Sequence, residues 1–190
     1  MPTLDHLIYA AETLDEGCDF VEALTGVRPG PGGQHLAMGT HNALLSLGPE
    51  AYLEVIAIDP SLPKPNRPRW FDLDNFSGSP KLIHWACRVP DLEKIHPELP
   101  PEVGEIVPMS RDDLHWKITI PKDGSLPFGG AYPTHLEWPD GIGAAARLLD
   151  QGVRLKKLEA PTSMRFELHD KRVVFNQNPG GLDVSFSIVS

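Results

Sequence analysis

The chain has 190 residues, a formal net charge of −9 and 41% hydrophobic residues, which suits one well-buried domain and leaves two ordinary domains without room for separate cores. The acidic balance and the scattered basic residues argue against nucleic acid as a partner. No segment approaches the roughly 20 apolar residues of a membrane span, and the first fifteen residues lack the basic start and apolar stretch of a signal peptide, so we expect a soluble cytoplasmic protein with no membrane partner.

The first module, about residues 1–60, predicts a strand, a helix and three further strands. The strand at 4–10 places His6, Ile8 and Ala10 on one face. A helix begins after Thr13, a candidate N-cap, and ends near Gly26. The glycine- and proline-rich residues that follow predict a turn, after which strands are expected at 35–38, 43–47 and 52–58.

A proline-rich linker, about 60–80, leads to a second module with the same order of elements, about 81–138. The linker begins with ten residues that include four prolines, which indicates a stiff crossover. The second module has strands at 81–88, 105–109, 114–120 and 132–138, with a short helical turn at 91–95. The remaining segment, about residues 139–190, is predicted to form an alanine-rich helix at 142–149 and strands at 154–159, 164–169, 172–176 and 182–188. We expect all of this to form a single domain, 1–190.

Two internal alignments compete for the repeat. His6 and Glu54 are as far apart along the chain as His135 and Asp183, which favours the C-terminal strands as the second copy. The other alignment sets His84 and Glu137 in the roles of His6 and Glu54. Both alternatives stay open at the level of the sequence.

Several motifs resemble one known family. Leu4-Asp-His-Leu-Ile-Tyr-Ala, Thr25-Gly-Val-Arg-Pro, Gly39-Thr-His-Asn and Tyr52-Leu-Glu-Val-Ile are similar to the glyoxalase-like domain family of the vicinal oxygen chelate superfamily, which includes glyoxalase and bleomycin-resistance proteins. The segment after residue 138 resembles the family only in outline, and the His-Pro that usually follows its Glu-Trp strand is missing. The resemblance implies an α+β fold in which repeated βαβββ modules form a curved mixed sheet around a cup.

The resemblance also implies a metal site. Superfamily members bind a divalent ion through one residue on the first strand and one on the fourth strand of each module, which here gives His6, Glu54, His84 and Glu137. Two histidines and two glutamates resemble the metal site of glyoxalase I. By this resemblance Glu54 and Glu137 of the present chain would be catalytic. The ions that suit two imidazoles and two carboxylates are zinc, nickel, manganese and iron(II). Paired modules in this superfamily make a homodimer plausible for this chain.

The residue chemistry supports only part of this set by itself. Glu54 interrupts the apolar run at residues 52–58, where a carboxylate is costly to bury without a metal, a donor or solvent. His135 shares a strand face with Glu137, so either could enter the cup. If the C-terminal strands are the second copy of the module, Asp183 takes the place of Glu137 as the counterpart of Glu54.

Other residues are candidates for the substrate pocket. His35 and Asn42 flank the break at residues 39–40, and His135 could reach the cup. Arg111 is a candidate for gripping an anionic substrate, with a solvated arginine as the alternative. Three tryptophans are expected in the core rather than as ligand platforms: Trp85, Trp116 and Trp138.

The resemblance implies three functions for a small-molecule site. The first is a metal-dependent lyase or isomerase, in which the ion chelates two adjacent substrate oxygens and a carboxylate moves a proton. The second is a metal-free protein that sequesters a small compound, as bleomycin-resistance relatives do. The third is an extradiol-type dioxygenase, since two histidines and a carboxylate also suit iron(II) oxygen chemistry.

Overall fold

The computed structural model describes residues 1–139, 141–161, 167–176 and 181–189. Within the described ranges, none of the helices has the length and the apolar character that crossing a bilayer requires. The helices and strands are β1 (Thr3–Ala10), α1 (Leu14–Thr25), β2 (Gly30–His35), β3 (Thr40–Ser46), β4 (Tyr52–Ile58), β5 (Lys81–Arg88), α2 (Leu92–Ile95), β6 (Glu105–Arg111), β7 (Leu114–Ile120), β8 (Thr134–Glu137), β9 (Val153–Pro161), β10 (Val173–Asn176) and β11 (Asp183–Ile188).

The main sheet has eight strands in the order β2-β3-β4-β1-β5-β8-β7-β6. In each module the last strand returns to lie parallel to the first, β4 beside β1 and β8 beside β5. Strands β1 and β5 pair antiparallel at the centre, so the two modules are related by an approximate twofold axis between them. The predicted α+β fold, a curved mixed sheet of repeated βαβββ modules, is confirmed.

Strand alternation divides the buried side chains between two faces of this sheet. Ile8 and Ile56 belong to the cluster on the concave side, together with Trp116. Leu7 and Val55 belong to the cluster on the other side, where α1 packs. The position of a side chain along its strand therefore decides whether it faces the cup.

The helix of the first module begins and ends where the sequence predicts. The Thr13 hydroxyl oxygen accepts a hydrogen bond from the Glu16 amide at 3.3 Å, and its hydroxyl donates to the Glu16 carboxylate at 2.9 Å. Gly26 ends the helix at φ 76°, a left-handed conformation that glycine adopts without a steric penalty. These caps fix the length of α1.

The predicted turn at residues 30–33 is wrong, because these residues form the first part of β2. β2 is an edge strand of the main sheet. Proline lacks a backbone N–H group, and Pro31 is tolerated there because one side of an edge strand forms no hydrogen bonds to another strand. The register shifts between Pro31 and Gln34, so the strand is irregular there. The predicted strand at 35–38 therefore lies too late in the chain.

The segment after residue 138 differs most from the prediction. In place of a helix at 142–149 there is one 3₁₀ turn, Ala144–Arg147, whose Ala144 and Ala145 pack into the concave cluster. A segment this short has little helical stability in isolation, so packing decides its conformation. β9, β10 and β11 form a separate sheet in the order β10-β9-β11. Residues 164–166 of the predicted strand at 164–169 lie outside the described residues, and residues 167–169 are not in a strand.

Gly17→Ala tests the packing of α1 on β4. Helix propensity alone favours alanine by about 1 kcal/mol, but a Cβ at Gly17 would lie 2.3 Å from Val55 Cγ1. We expect the overpacking to dominate and to lower the free energy of unfolding by about 1–3 kcal/mol, measured by urea denaturation. Ala23→Gly, at an exposed position of the same helix, calibrates the propensity effect. A stabilised Gly17→Ala variant would contradict this account of the helix packing.

Candidate functional site

A narrow pocket opens on the concave side of the main sheet, and its volume of about 20 Å³ gives room for about one water molecule. Its floor carries a few polar groups and its walls are mostly aromatic. The lining residues are His6, His35, Tyr52, Glu54, Trp70, Phe71, Arg111, Trp116, Ile118, Leu136 and Trp138.

His6 and Glu54 meet at the floor of this pocket. The parallel pairing of β1 with β4 sets Glu54 opposite Ile8, on the face that also carries His6. His6 Nε2 lies 3.6 Å from Glu54 Oε2, and both residues are buried. This distance is too long for a direct hydrogen bond, so the two atoms converge without being joined. The sequence predicts this proximity, whereas the role of the pair stays a prediction.

Asp5 holds the ring of His6 from behind. The register of β1 shifts between Leu4 and His6, and this bulge turns the Asp5 carboxylate toward its neighbour. Asp5 Oδ1 lies 2.8 Å from His6 Nδ1, and Oδ2 accepts a hydrogen bond from Trp138 Nε1 at 3.0 Å. Because this carboxylate accepts at both oxygens, the His6 proton belongs on Nδ1, which leaves Nε2 free to face Glu54. Sequence reasoning missed Asp5, since a regular strand would point it the other way.

Asn42 and His35 support Glu54 from the other side. Asn42 Nδ2 donates to Glu54 Oε1 at 2.5 Å, and Asn42 Oδ1 accepts from the Gly33 amide at 2.9 Å. His35 Nε2 lies 3.4 Å from Asn42 Nδ2, while its Nδ1 lies 3.1 Å from Thr40 Oγ1. Both predicted pocket residues are buried. His35 lines the pocket and Asn42 lies behind Glu54, so both are at its floor, and their contact with a substrate stays a prediction.

The second module does not repeat the pair. In the first module the pairing of β1 with β4 sets Glu54 opposite Ile8. In the second module the pairing of β5 with β8 sets Thr134 opposite Ala86. Thr134 is therefore the counterpart of Glu54. His84 is the counterpart of His6, and its Nε2 lies 3.0 Å from Thr134 Oγ1. The Thr134 amide also donates to that nitrogen at 3.2 Å. His84 Nδ1 faces the Gly130 carbonyl at 3.4 Å, so both of its ring nitrogens are engaged.

Three residues proposed from the sequence do not reach the pocket. Glu137 lies three residues beyond Thr134 and so projects from the other face of β8, where its Oε2 accepts from the Leu92 amide of α2 at 2.7 Å. His135 shares that face and packs beside Tyr132. Asp183 lies in β11, in the separate sheet, which rules out the alignment that makes it a counterpart of Glu54. The alternation of β8 explains why both side chains lie away from the pocket, while their proposed roles stay predictions.

The predicted four-ligand metal site therefore does not fit the donors present. Within the part of the chain that the structure describes, no group of three or more His, Cys, Asp or Glu side chains is arranged to hold a metal ion. His6 and Glu54 remain as a pair of possible donors, each supported by a further hydrogen-bonding group, Asp5 or Asn42, as metal ligands often are. His84 has no free ring nitrogen, and Glu137 lies across the sheet.

Sequence reasoning also missed two aromatic walls of the pocket. Trp70 and Phe71 come from the crossover between the modules, in the 3₁₀ segment Trp70–Asn75. Their rings stack at a centroid distance of 5.1 Å, and Phe71 adopts φ 59°, which is unusual for an aromatic residue. Trp116 and Trp138 line the pocket as well, in contrast to the expectation that they only fill the core. Trp85 is buried in the cluster on the other side of the sheet, as expected.

Burial keeps three histidines neutral. Burial lowers the pKa of His35 and of His84 to about 3, and that of His135 to about 4. Like charge from Arg111 further lowers the pKa of His35. Burial also raises the pKa of Tyr52, which stacks on His6 at a centroid distance of 4.6 Å and stays protonated at neutral pH.

These pKa values make stability depend on pH. The unfolded chain protonates histidine below about pH 6.5, whereas folded His84 resists protonation down to a pKa of about 3. The free energy of unfolding should therefore fall as the pH drops from about 6.5 toward 4. Each such histidine contributes up to about 1.4 kcal/mol per pH unit. His84→Gln should flatten this slope in denaturation curves measured at several pH values, whereas exposed His115→Gln should not. An unchanged slope in His84→Gln would show that His84 is not held neutral.

Among the solved structures that resemble this chain, one with a TM-score above 0.5 shows the same fold. A hypothetical protein from Staphylococcus aureus matches with a TM-score of 0.55 and 16% identity over 85% of this chain and 70% of that chain. Methylmalonyl-CoA epimerase from Mycobacterium tuberculosis has a TM-score of 0.47 and 22% identity, over 72% of this chain and 86% of that chain. A Streptomyces coelicolor methylmalonyl-CoA epimerase variant in complex with 2-nitronate-propionyl-CoA has a TM-score of 0.48 and 17% identity, over 73% and 99%.

No protein with a curated description matches the chain. The family model of the glyoxalase-like domain matches residues 4–171, which include both modules and the whole pocket. The chain therefore belongs to the glyoxalase-like domain family, as its motifs predict.

Proposed function

We propose that this protein is an isomerase- or lyase-type enzyme that moves a proton on a small substrate with neighbouring oxygens. The observation that carries the proposal is the convergence of His6 Nε2 and Glu54 Oε2, 3.6 Å apart, on one point of a pocket with aromatic walls. A base and a hydrogen-bonding group held together in a buried site are what proton transfer next to a carbonyl requires.

In the proposed reaction Glu54 is the base. Its Oε2 takes a proton from the carbon beside a substrate carbonyl, and the electron pair of the broken C–H bond forms an enolate on the carbonyl oxygen. Return of that proton to the former carbonyl carbon, while the proton of the adjacent hydroxyl passes to the enolate oxygen, gives an isomer and restores the carboxylate. Loss of a leaving group from the adjacent carbon would instead give a lyase product.

The neighbouring groups have separate tasks in this proposal. His6, held by Asp5, accepts a hydrogen bond from a substrate hydroxyl at Nε2 and so orients the two vicinal oxygens. Arg111 lines the same pocket and provides positive charge for the developing oxyanion. Asn42 fixes the Glu54 carboxylate through Oε1, which leaves Oε2 for the substrate.

The structure provides only two of the four ligands that the sequence predicts for a metal ion. A divalent ion could take His6 and Glu54 as ligands, but neither His84 nor Glu137 is placed to complete the set. The facial set of two histidines and a carboxylate that iron(II) dioxygenases use is incomplete for the same reason. We therefore assign the proton transfer to the protein groups themselves. The homodimer, the cytoplasmic location and the single domain over 1–190 stay predictions.

A second candidate is a metal-free protein that sequesters a small compound. The five aromatic walls of the pocket favour it, since such walls bind planar or apolar ligands without any chemistry: Tyr52, Trp70, Phe71, Trp116 and Trp138. The two candidates differ in what Glu54 does, so the same variant distinguishes them.

Glu54→Gln should abolish proton transfer. We would incubate the protein in D₂O with 2-hydroxy ketones and 2-oxo acids and follow exchange of the C–H group beside the carbonyl by NMR. Wild-type protein should catalyse exchange on at least one of these compounds, and Glu54→Gln should slow it by about 100- to 10,000-fold. The matched control is Glu137→Gln, which should change the rate less than twofold, on the order of ordinary variation. If wild type and Glu54→Gln exchange at equal rates, or if no compound exchanges at all, the enzyme proposal is wrong and the sequestering protein remains as the candidate.

Metal analysis tests the donor set. Protein purified without chelators should contain far less than one equivalent of zinc, nickel, manganese or iron, because two protein ligands hold an ion weakly. Dialysis against EDTA should leave the exchange rate unchanged. One equivalent of metal that is lost in both His6→Ala and His84→Ala would instead restore the site that the sequence predicts.

A further inference from the structure

The narrow pocket at His6 and Glu54 adjoins a much larger cavity, which we call the outer cavity. The outer cavity has a volume of about 420 Å³, against about 20 Å³ for the pocket. Its exposed lining residues open it to solvent: Asn75, Ser77 and Lys81. Its apolar lining includes Phe76, Leu82 and Leu126. Room for a small molecule therefore lies next to the pocket and not within it.

Phe71 lies between the two spaces. Among the described residues, it alone lines both the pocket and the outer cavity. Its exposed fraction is 6%, and its ring stacks on Trp70 at a centroid distance of 5.1 Å and lies 5.6 Å from the ring of His84. A phenyl ring has no polar atom, so packing alone keeps it in this position.

The backbone at Phe71 is strained, whereas the crossover on either side of it is held by hydrogen bonds. Phe71 and Asp72 adopt φ 59° and 55°, a left-handed region that residues with a Cβ atom rarely occupy. The Asp72 amide donates to the Gly124 carbonyl at 2.8 Å, and the Asp74 carboxylate accepts from the Arg69 amide at 2.9 Å. Strained residues of this kind are frequent at ligand clamps and switch regions. Phe71 is therefore the point at which this segment can change conformation.

Trp138 is the alternative route into the pocket, but its side chain is anchored. It also lines a separate cavity of about 350 Å³ beside Met1. Its Nε1 donates a hydrogen bond to Asp5 at 3.0 Å, and a Cβ atom at Gly143 would lie 2.7 Å from the same nitrogen. Movement of Trp138 would break this buried hydrogen bond to the carboxylate that orients His6, whereas movement of the Phe71 ring breaks no side-chain hydrogen bond.

We propose that Phe71 is a gate: movement of its ring joins the pocket to the outer cavity, and a substrate reaches His6 and Glu54 by this path. The closed pocket has room for about one water molecule, so proton transfer on an organic substrate requires such an opening. Segments that open and close over a site commonly control access in this way. The inference deepens the proposed function and rests on it for the nature of the occupant, whereas the gate itself can be tested without a substrate.

Diethyl pyrocarbonate tests the gate, because this small reagent acylates neutral imidazole nitrogens and so reports how often the pocket opens. Digestion of the full-length protein and mass spectrometry follow buried His6 together with exposed His115, which calibrates the reagent. In the wild type, His6 should react at least about tenfold more slowly than His115, since modification tracks the population of the open form. Phe71→Ala removes the ring and should raise the His6 rate at least about tenfold.

Matched variants separate the gate from a general loosening of the fold. Phe76→Ala removes the same kind of side chain from a residue that lines the outer cavity but not the pocket, and it should change the His6 rate less than about twofold. His135 is buried on the other face of β8 and should stay protected in every folded variant. Phe71→Met replaces the ring with a flexible side chain and should give an intermediate rate, which keeps the test open if Phe71→Ala fails to fold.

Four outcomes would overturn the inference. These are a wild-type His6 that reacts as fast as His115, an unchanged His6 rate in both Phe71 variants, an equal increase in Phe76→Ala, and a larger increase in Trp138→Phe than in Phe71→Ala. A His6 rate that Phe71 controls, in a protein without proton exchange, would refute only the enzyme. Proton exchange with a His6 rate that Phe71 does not control would refute only the gate.

Discussion

The parallel pairing of β4 with β1 is the contact on which the site depends. It is a long-range pairing, closed only after the helix and two further strands have been placed, and its register sets Glu54 across from Ile8. A slip of one residue would send the carboxylate to the face that packs against α1. The buried side chains on both faces resist such a slip, since it would expose Leu53 and Val55 to the cup and bury Glu54 in an apolar cluster.

The same register argument explains why the two modules are unequal. The approximate twofold axis between β1 and β5 repeats the backbone, but the chemistry is not repeated. Where the first module has a carboxylate that faces an open pocket, the second has Thr134, which hydrogen-bonds His84 and closes the space between them. One half of the cup thus keeps a small polar pocket, while the other half is an internal hydrogen-bonded contact that stabilises the sheet.

The sequence predicts the fold and the proximity of His6 and Glu54. Strand alternation and the caps of α1 depend on neighbouring residues, so local patterns are sufficient for them. Glu137 could not be rejected in the same way, because the choice between positions 134 and 137 depends on the register of β8 with β5, which no local pattern encodes. Asp5 required knowledge of a bulge, and Trp70 required the path of the crossover.

The crossover that carries Trp70 and Phe71 is also a wall of the pocket, and this makes the cavity a property of the joined modules. Neither module would enclose the same space if it were expressed alone or separated by a longer connection. Duplication of a half-domain could produce the sheet, but the pocket would arise only with the linking segment. Insertions or substitutions in this segment could therefore change ligand preference during evolution without altering any strand of the scaffold.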